Sequence, residues 1–283
     1  MRNNRMRPST LGLLASTVLF GSALSAQSAK DVIAEHDKAY QAWMTTYRSA
    51  SKEARQKIIS ERPLPEKIFP RMTAIIDADP KSSDALIAAN WMITRGRVQG
   101  DQLNHSLTVM VKHHTQSAEL AGTCTALGRT PTKASMEFLS TIEKQSPHSA
   151  VQAQACLSLA EVHKRQAGIA QQIKAADKDK MATLITRYGR ETVDILKAAS
   201  PAALEKRAEQ HFQKVMETPA YAKISYGRNS TLGARAKSNL FELRNLSIGK
   251  TAPEIAGEDI DGNPMKLTDY RGKVVVLDFW GDW

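Results

Sequence analysis

The 283 residues carry 39 Lys and Arg against 29 Asp and Glu, a formal net charge of +10, with 6% aromatic residues and 2 cysteines. The basic residues form no dense block and few aromatics interleave with them, which excludes nucleic acid as a partner; contact with anionic headgroups is permitted by the charge and not required by it. Residues 30–245 alone exceed 200 in number, ample for an independent hydrophobic core.

In chain order, the first expected element is an export signal spanning residues 1–26. Arg2, Arg5 and Arg7 form a positive start, residues 11–24 an apolar run of 14, and Leu24-Ser25-Ala26 a small-residue exit, so cleavage after Ala26 is expected. Fourteen residues that include Gly and Ser are too few to cross a hydrocarbon layer of roughly 30 Å. No cysteine follows the run to carry a lipid, so the mature chain is expected in the periplasm or outside the cell, peripheral to a membrane at most. Losing three arginines leaves it at +7.

Residues 27–245 read as an all-α domain. Apolar residues recur at helical spacing, as in Ile68, Met72, Ile75 and Ile76, or Leu184, Tyr188, Thr192 and Ile195. Asp79-Pro80, Ser146-Pro147 and Ser200-Pro201 each set a capping residue before a proline suited to a first helical turn, so each predicts a helix start. The Ala-rich stretches after Pro80 and Pro147 are compatible with stacked, solenoid-like hairpins, without a clean repeat period. Mixed runs such as residues 174–180 describe a solvated helix face.

This region offers little chemistry. His105, His113 and His114 lack the i, i+4 spacing of paired helical ligands and have no cysteine or acidic cluster beside them, so neither a metal nor another cofactor is expected. Trp43 and Trp91 lie on apolar faces and read as core rather than as a binding platform. Cys124 and Cys156 stand 32 apart on what read as neighbouring helices, which rules out a CxxC pair. An even pair in an exported chain predicts a structural disulfide, two buried thiols being the alternative.

Near Asn245 the helical pattern gives way to Gly249, Pro253 and turn residues, and residues 246–283 read as a separate piece. Asp261-Gly262-Asn263 is turn chemistry between two short segments able to pair as a hairpin. Residues 274–277, Val-Val-Val-Leu, predict a strand covered on both faces, and Asp278-Phe279-Trp280-Gly281-Asp282-Trp283 follows. Asp278 interrupts an apolar strand, and a buried carboxylate is costly unless it is paired or neutralised.

The order of these pieces, from Gly249-Lys250-Thr251-Ala252-Pro253-Glu254 through Leu267-Thr268-Asp269-Tyr270-Arg271-Gly272-Lys273 to the aromatic ending, resembles the opening of a thioredoxin-like redoxin domain. It is most similar to the TlpA-like extracytoplasmic protein disulfide reductases. With the helical domain read from the spacing, the resemblance completes a mainly α protein: an all-α domain followed by the incomplete start of an α/β thioredoxin-like domain. It implies a thiol-disulfide oxidoreductase whose partners are protein or small-molecule disulfides and a thiol electron donor. Asp278 takes the proton-transfer role beneath the active-site dithiol, or is a strand-end residue facing solvent. Trp280 and Trp283 flank the active-site loop, or are ordinary core. The family's attacking cysteine would follow Trp283 directly, so the chain as given is expected to be inactive. Continuation with selenocysteine encoded by UGA is one expected explanation; a contig end, a frameshift or deliberate design are the others. Two rival readings remain, a peroxiredoxin-like antioxidant enzyme and a helical protein-binding scaffold with a vestigial redoxin segment. The partner of the helical domain is not legible.

Overall fold

A computed structural model describes residues 27–247 and 249–281. The expected export signal with its exit at Ala26, and Trp283, lie outside the described residues. The protein is mainly α. The helices run α1 (Ala29–Ser49), α2 (Lys52–Ile58), α3 (Phe69–Ala78), α4 (Ser83–Thr94), α5 (Gly100–His113), α6 (Leu120–Leu127), α7 (Lys133–Gln145), α8 (Ser149–Lys174), α9 (Lys178–Tyr188), α10 (Arg190–Ala198), α11 (Pro201–Glu217), α12 (Pro219–Ala222) and α13 (Leu232–Asn245). A two-stranded ribbon, β1 (Ser225–Tyr226) with β2 (Ser230–Thr231), precedes α13, and a second, β3 (Ala256–Glu258) with β4 (Pro264–Lys266), follows it. No described helix is long and apolar enough to cross a membrane.

The organising element is α8. Of its 26 residues 16 are buried, and they lie all round the helix rather than along one stripe, the signature of an interior helix. Val151, Ala155, Leu159 and Val162 join the first core, with Met72, Met92, Met110 and Phe138 from α3, α4, α5 and α7. Ala153, Cys156, Leu157 and Ala160 join the second, with Phe212 and Val215 of α11 and Leu240 of α13. Ala167, Ala170 and Ile173 join the third, with Leu184, Val193 and Leu196 of α9 and α10. Alanine at 153, 155, 160, 167 and 170 keeps the surface of α8 low on several sides, so helices approach it all round. Two of its buried polar side chains are satisfied by hydrogen bonds: Gln154 donates to Ser158 at 3.3 Å and Gln166 to the Pro131 carbonyl at 3.2 Å.

This arrangement corrects the expected disulfide. Cys124 and Cys156 are both free and buried, Cys124 in the first core and Cys156 in the second. Cys156 follows Ala155 by one residue and about 100° of helical turn, so its thiol faces α11 while the neighbouring methyl faces the core that holds Cys124.

Three further expectations change in detail. The pattern from Leu184 to Ile195 predicts one helix; the structure breaks it at Gly189, where φ is 81°, a left-handed value that glycine adopts without steric cost. The break rotates α10 so that Val193 and Leu196 are buried while Ile195 is exposed. Ser200 caps α11 as expected, its hydroxyl accepting from the Ala203 amide at 3.4 Å. Asp79-Pro80 instead forms a turn, with the Asp79 carboxylate bound to the Lys81 amide, and Ser82 caps α4; Ser146 closes α7, and α8 starts after His148. Trp91 is core, as read, but Trp43 is only half-buried, stacked on Tyr47 with its indole N–H donated to the Ile58 carbonyl at 2.9 Å.

Candidate functional site

The C-terminal segment is held together by local chemistry. In the hairpin, Ala256 faces Lys266, Gly257 faces Met265 and Glu258 faces Pro264. Its turn is organised by Asp259, whose Oδ1 accepts from the amides of Asp261 at 2.9 Å and Asn263 at 2.8 Å, while Gly262 takes the positive φ of 81°. The Asn263 amide above all holds the Asp259 carboxyl below its ordinary range. A 3-10 turn, Leu267–Tyr270, continues from β4. It is tied back by Glu254, whose carboxylate accepts from the Thr268 hydroxyl at 2.5 Å and the Thr268 amide at 3.1 Å. The Thr268 hydroxyl above all holds the Glu254 carboxyl below its ordinary range. The Leu267 amide donates to the Ile255 carbonyl at 2.9 Å.

Residues 274–280 differ from expectation. They carry no strand assignment and stand exposed, Val274 at 97%, Val276 at 88% and Trp280 at 83%. Their apolar side chains have no second strand to lie against among the described residues, and a lone strand has no ladder to complete. Asp278 is exposed with them, so its carboxylate is not buried as its apolar neighbours predict.

A second constellation, in the helical region, escaped the sequence reading. Glu143 of α7, Cys156 of α8 and His211 of α11 each place one ligand-capable atom within 4.8 Å of the other two. Cys156 Sγ lies 3.6 Å from His211 Nδ1 and 3.6 Å from the His211 carbonyl. Glu143 Oε1 accepts from Lys214 Nζ at 2.8 Å, and Lys214 sits one turn beyond His211 on α11. Behind them His163 stacks on His211, ring centroids 5.7 Å apart and planes 20° apart, with its Nδ1 buried and unpartnered.

Burial sets the electrostatics of this group. It pushes the Cys156 thiol far up, the Glu143 charge adding to the effect, and it pushes His163 down to about 4, with repulsion from His211 and Arg207 contributing. His211 is lowered by burial, against the pull of Glu143. Lys214 is raised by its bond to Glu143. Cys124 is likewise pushed up to about 12 by burial. A thiol held protonated and closed to solvent is a poor nucleophile, so neither cysteine is suited to attack a disulfide.

The structure does not bring the histidines singled out from the sequence into one site: His105 Nε2 pairs with Asp77 at 2.7 Å, while His114 Nε2 meets the Pro80 carbonyl at 2.8 Å. Sequence spacing carried no signal for Glu143, Cys156 and His211, because three separate helices supply them.

No protein-family model matches the chain, and no solved structure matches it significantly. Among curated proteins it is similar to the thiol-disulfide oxidoreductase ResA of Geobacillus thermodenitrificans (strain NG80-2), 44% identical over 55 residues, 19% of this chain and 32% of the relative. ResA of Geobacillus kaustophilus (strain HTA426) is 40% identical over 55 residues, again 19% and 32%. ResA of Bacillus subtilis (strain 168) is 45% identical over 38 residues, 13% of this chain and 21% of the relative. The chain thus spans about a third, or less, of the length of these relatives. This local similarity supports a thioredoxin-like redoxin relationship, of the thiol-disulfide oxidoreductase kind, for the matched stretch.

Proposed function

We propose that the chain belongs to an exported thiol-disulfide oxidoreductase, with residues 246–283 as the opening of its redoxin domain and residues 27–245 as an accessory helical domain. The observation that carries this reading is the 44% identity to a ResA protein over 55 residues. The 38-residue matches have the length of residues 246–283, and the hairpin, the Asp259 turn and the Glu254–Thr268 clasp provide an ordered lead-in to Asp278.

In this reading a thiolate, or a selenolate, located beyond Trp283 attacks one sulfur of a partner disulfide. A mixed disulfide forms and the partner's second sulfur leaves as a thiolate. A resolving thiol then displaces the first partner sulfur, so the partner gains two electrons and the enzyme pair is oxidised to a disulfide. A thiol electron donor reverses the cycle. Asp278 moves the proton to and from the resolving thiol, and Trp280 and Trp283 wall the loop. Neither Cys124 nor Cys156 serves, since both are buried and burial pushes both thiols up, toward the protonated form. Export supplies a compartment in which protein disulfides persist.

The codons that follow Trp283 in the gene test this reading. A cysteine codon or UGA, followed in frame by Gly-Pro-Cys or a close variant, is the expected result. A frame that continues without a second cysteine would contradict it.

A further inference from the structure

We propose that Glu143, Cys156 and His211 form a binding site for one zinc-type divalent cation, set between α7, α8 and α11. The ligand atoms already stand at coordination spacing. A tetrahedral ion with a sulfur ligand at about 2.3 Å and a nitrogen ligand at about 2.1 Å holds those two atoms about 3.6 Å apart. Cys156 Sγ and His211 Nδ1 are 3.6 Å apart, and the carboxylate of Glu143 offers an oxygen within 4.8 Å of both. One sulfur, one imidazole nitrogen and one carboxylate oxygen suit zinc and its neighbours; magnesium and calcium take oxygen ligands.

The surroundings point the same way. The three ligands come from three helices packed through the interior of the molecule, so their relative positions are fixed by the fold rather than by a loop. His163, two turns beyond Cys156 on α8, is 5% exposed, and its buried Nδ1 has no hydrogen-bond partner although the ring lies stacked on His211. A buried imidazole nitrogen left unpaired lowers stability unless something is bound beside it, and a metal-held water or the metal itself is such a partner.

Lys214 supplies the charge that the cation would replace. Its Nζ is 2.8 Å from Glu143 Oε1, yet its side chain is 52% exposed whereas that of Glu143 is 7% exposed, so the lysine can swing to water while the carboxylate stays. Binding of the divalent ion releases the Cys156 thiol proton to solvent. The thiolate and the carboxylate then balance the two positive charges, and Lys214 leaves with its own. No electron transfer is involved. A catalytic Cys-His-acid arrangement, the rival use of these three groups, needs a thiol that substrate can reach, and Cys156 is fully buried.

Cobalt(II) added to the reduced, purified full chain tests the site without relying on a variant. The expected result is one cobalt per chain, a thiolate-to-cobalt charge-transfer band, d–d absorption of tetrahedral intensity, and displacement of both by zinc. Cys156→Ser, checked for folding by circular dichroism, should abolish the charge-transfer band, whereas Cys124→Ser and His105→Gln should keep it. His163→Gln should weaken zinc binding by about 10-fold as a neighbour of the ligand set. A folded wild-type chain without the band, or a band that survives Cys156→Ser, would overturn the assignment.

Discussion

At the scale of single residues, the buried histidines give the helical region a testable dependence on pH. Burial pushes His163 down to about 4, so the folded chain holds it neutral where an unfolded chain, with an ordinary value of 6.5, takes up a proton. His211 is displaced in the same direction. The unfolded state therefore binds more protons between those values, and stability falls as pH drops through that window. For His163 alone the loss amounts to about 3 kcal/mol at most, taking about 1.4 kcal/mol per unit. Urea unfolding from pH 7.5 to 4 should show a falling midpoint, and His163→Gln should flatten the fall; an equal fall in the variant would place its origin elsewhere. His163 also illustrates what single residues conceal in a sequence. An isolated histidine on a helix reads as nothing in particular, and only the approach of α11 gives it a stacked neighbour and an unpaired nitrogen. Asp278 is the reverse case: its sequence context predicts a buried carboxylate, but the burial depends on neighbouring strands that the described residues do not supply.

At the scale of elements, legibility follows how local the determining interaction is. Ser200-Pro201 marks the start of α11 correctly because the cap bond spans three residues. Asp79-Pro80 misleads because the Asp79 carboxylate closes its own turn two residues on, leaving Ser82 to cap α4. The hairpin at Asp261-Gly262-Asn263 was readable for the same local reason, the side chain of Asp259 completing the turn. The long-range arrangement around α8 was not readable, since an alanine-rich helix looks alike whether two or six neighbours pack on it. Its second face depends on Phe212, a fully buried side chain of α11 set among Leu157, Ala160, Leu240 and Leu243. Phe212→Ala should cost about 3 to 5 kcal/mol, because the side chains around it are held by their helices and close the cavity only in part. Chemical denaturation measures it, and a loss below about 1 kcal/mol would show that this core collapses freely.

At the scale of the whole molecule, a helical body built around one interior helix precedes a short, exposed, locally folded segment, and the two carry different kinds of information. The helical body has its chemistry in the Glu143, Cys156 and His211 cluster, which only the packing of three helices reveals. The segment after Asn245 has its meaning in the order of its pieces, which the sequence displays and the similarity to ResA proteins supports. The central claim, that this segment opens a disulfide-reducing domain with Asp278 as its proton carrier, meets its most direct test in insulin reduction by the product of the whole reading frame. Wild-type product should accelerate insulin precipitation in dithiothreitol, Asp278→Asn should slow that turnover by about 10²-fold, and residues 27–283 alone should add nothing to dithiothreitol. Turnover by residues 27–283 alone, or a whole-frame product indifferent to Asp278→Asn, would contradict the account.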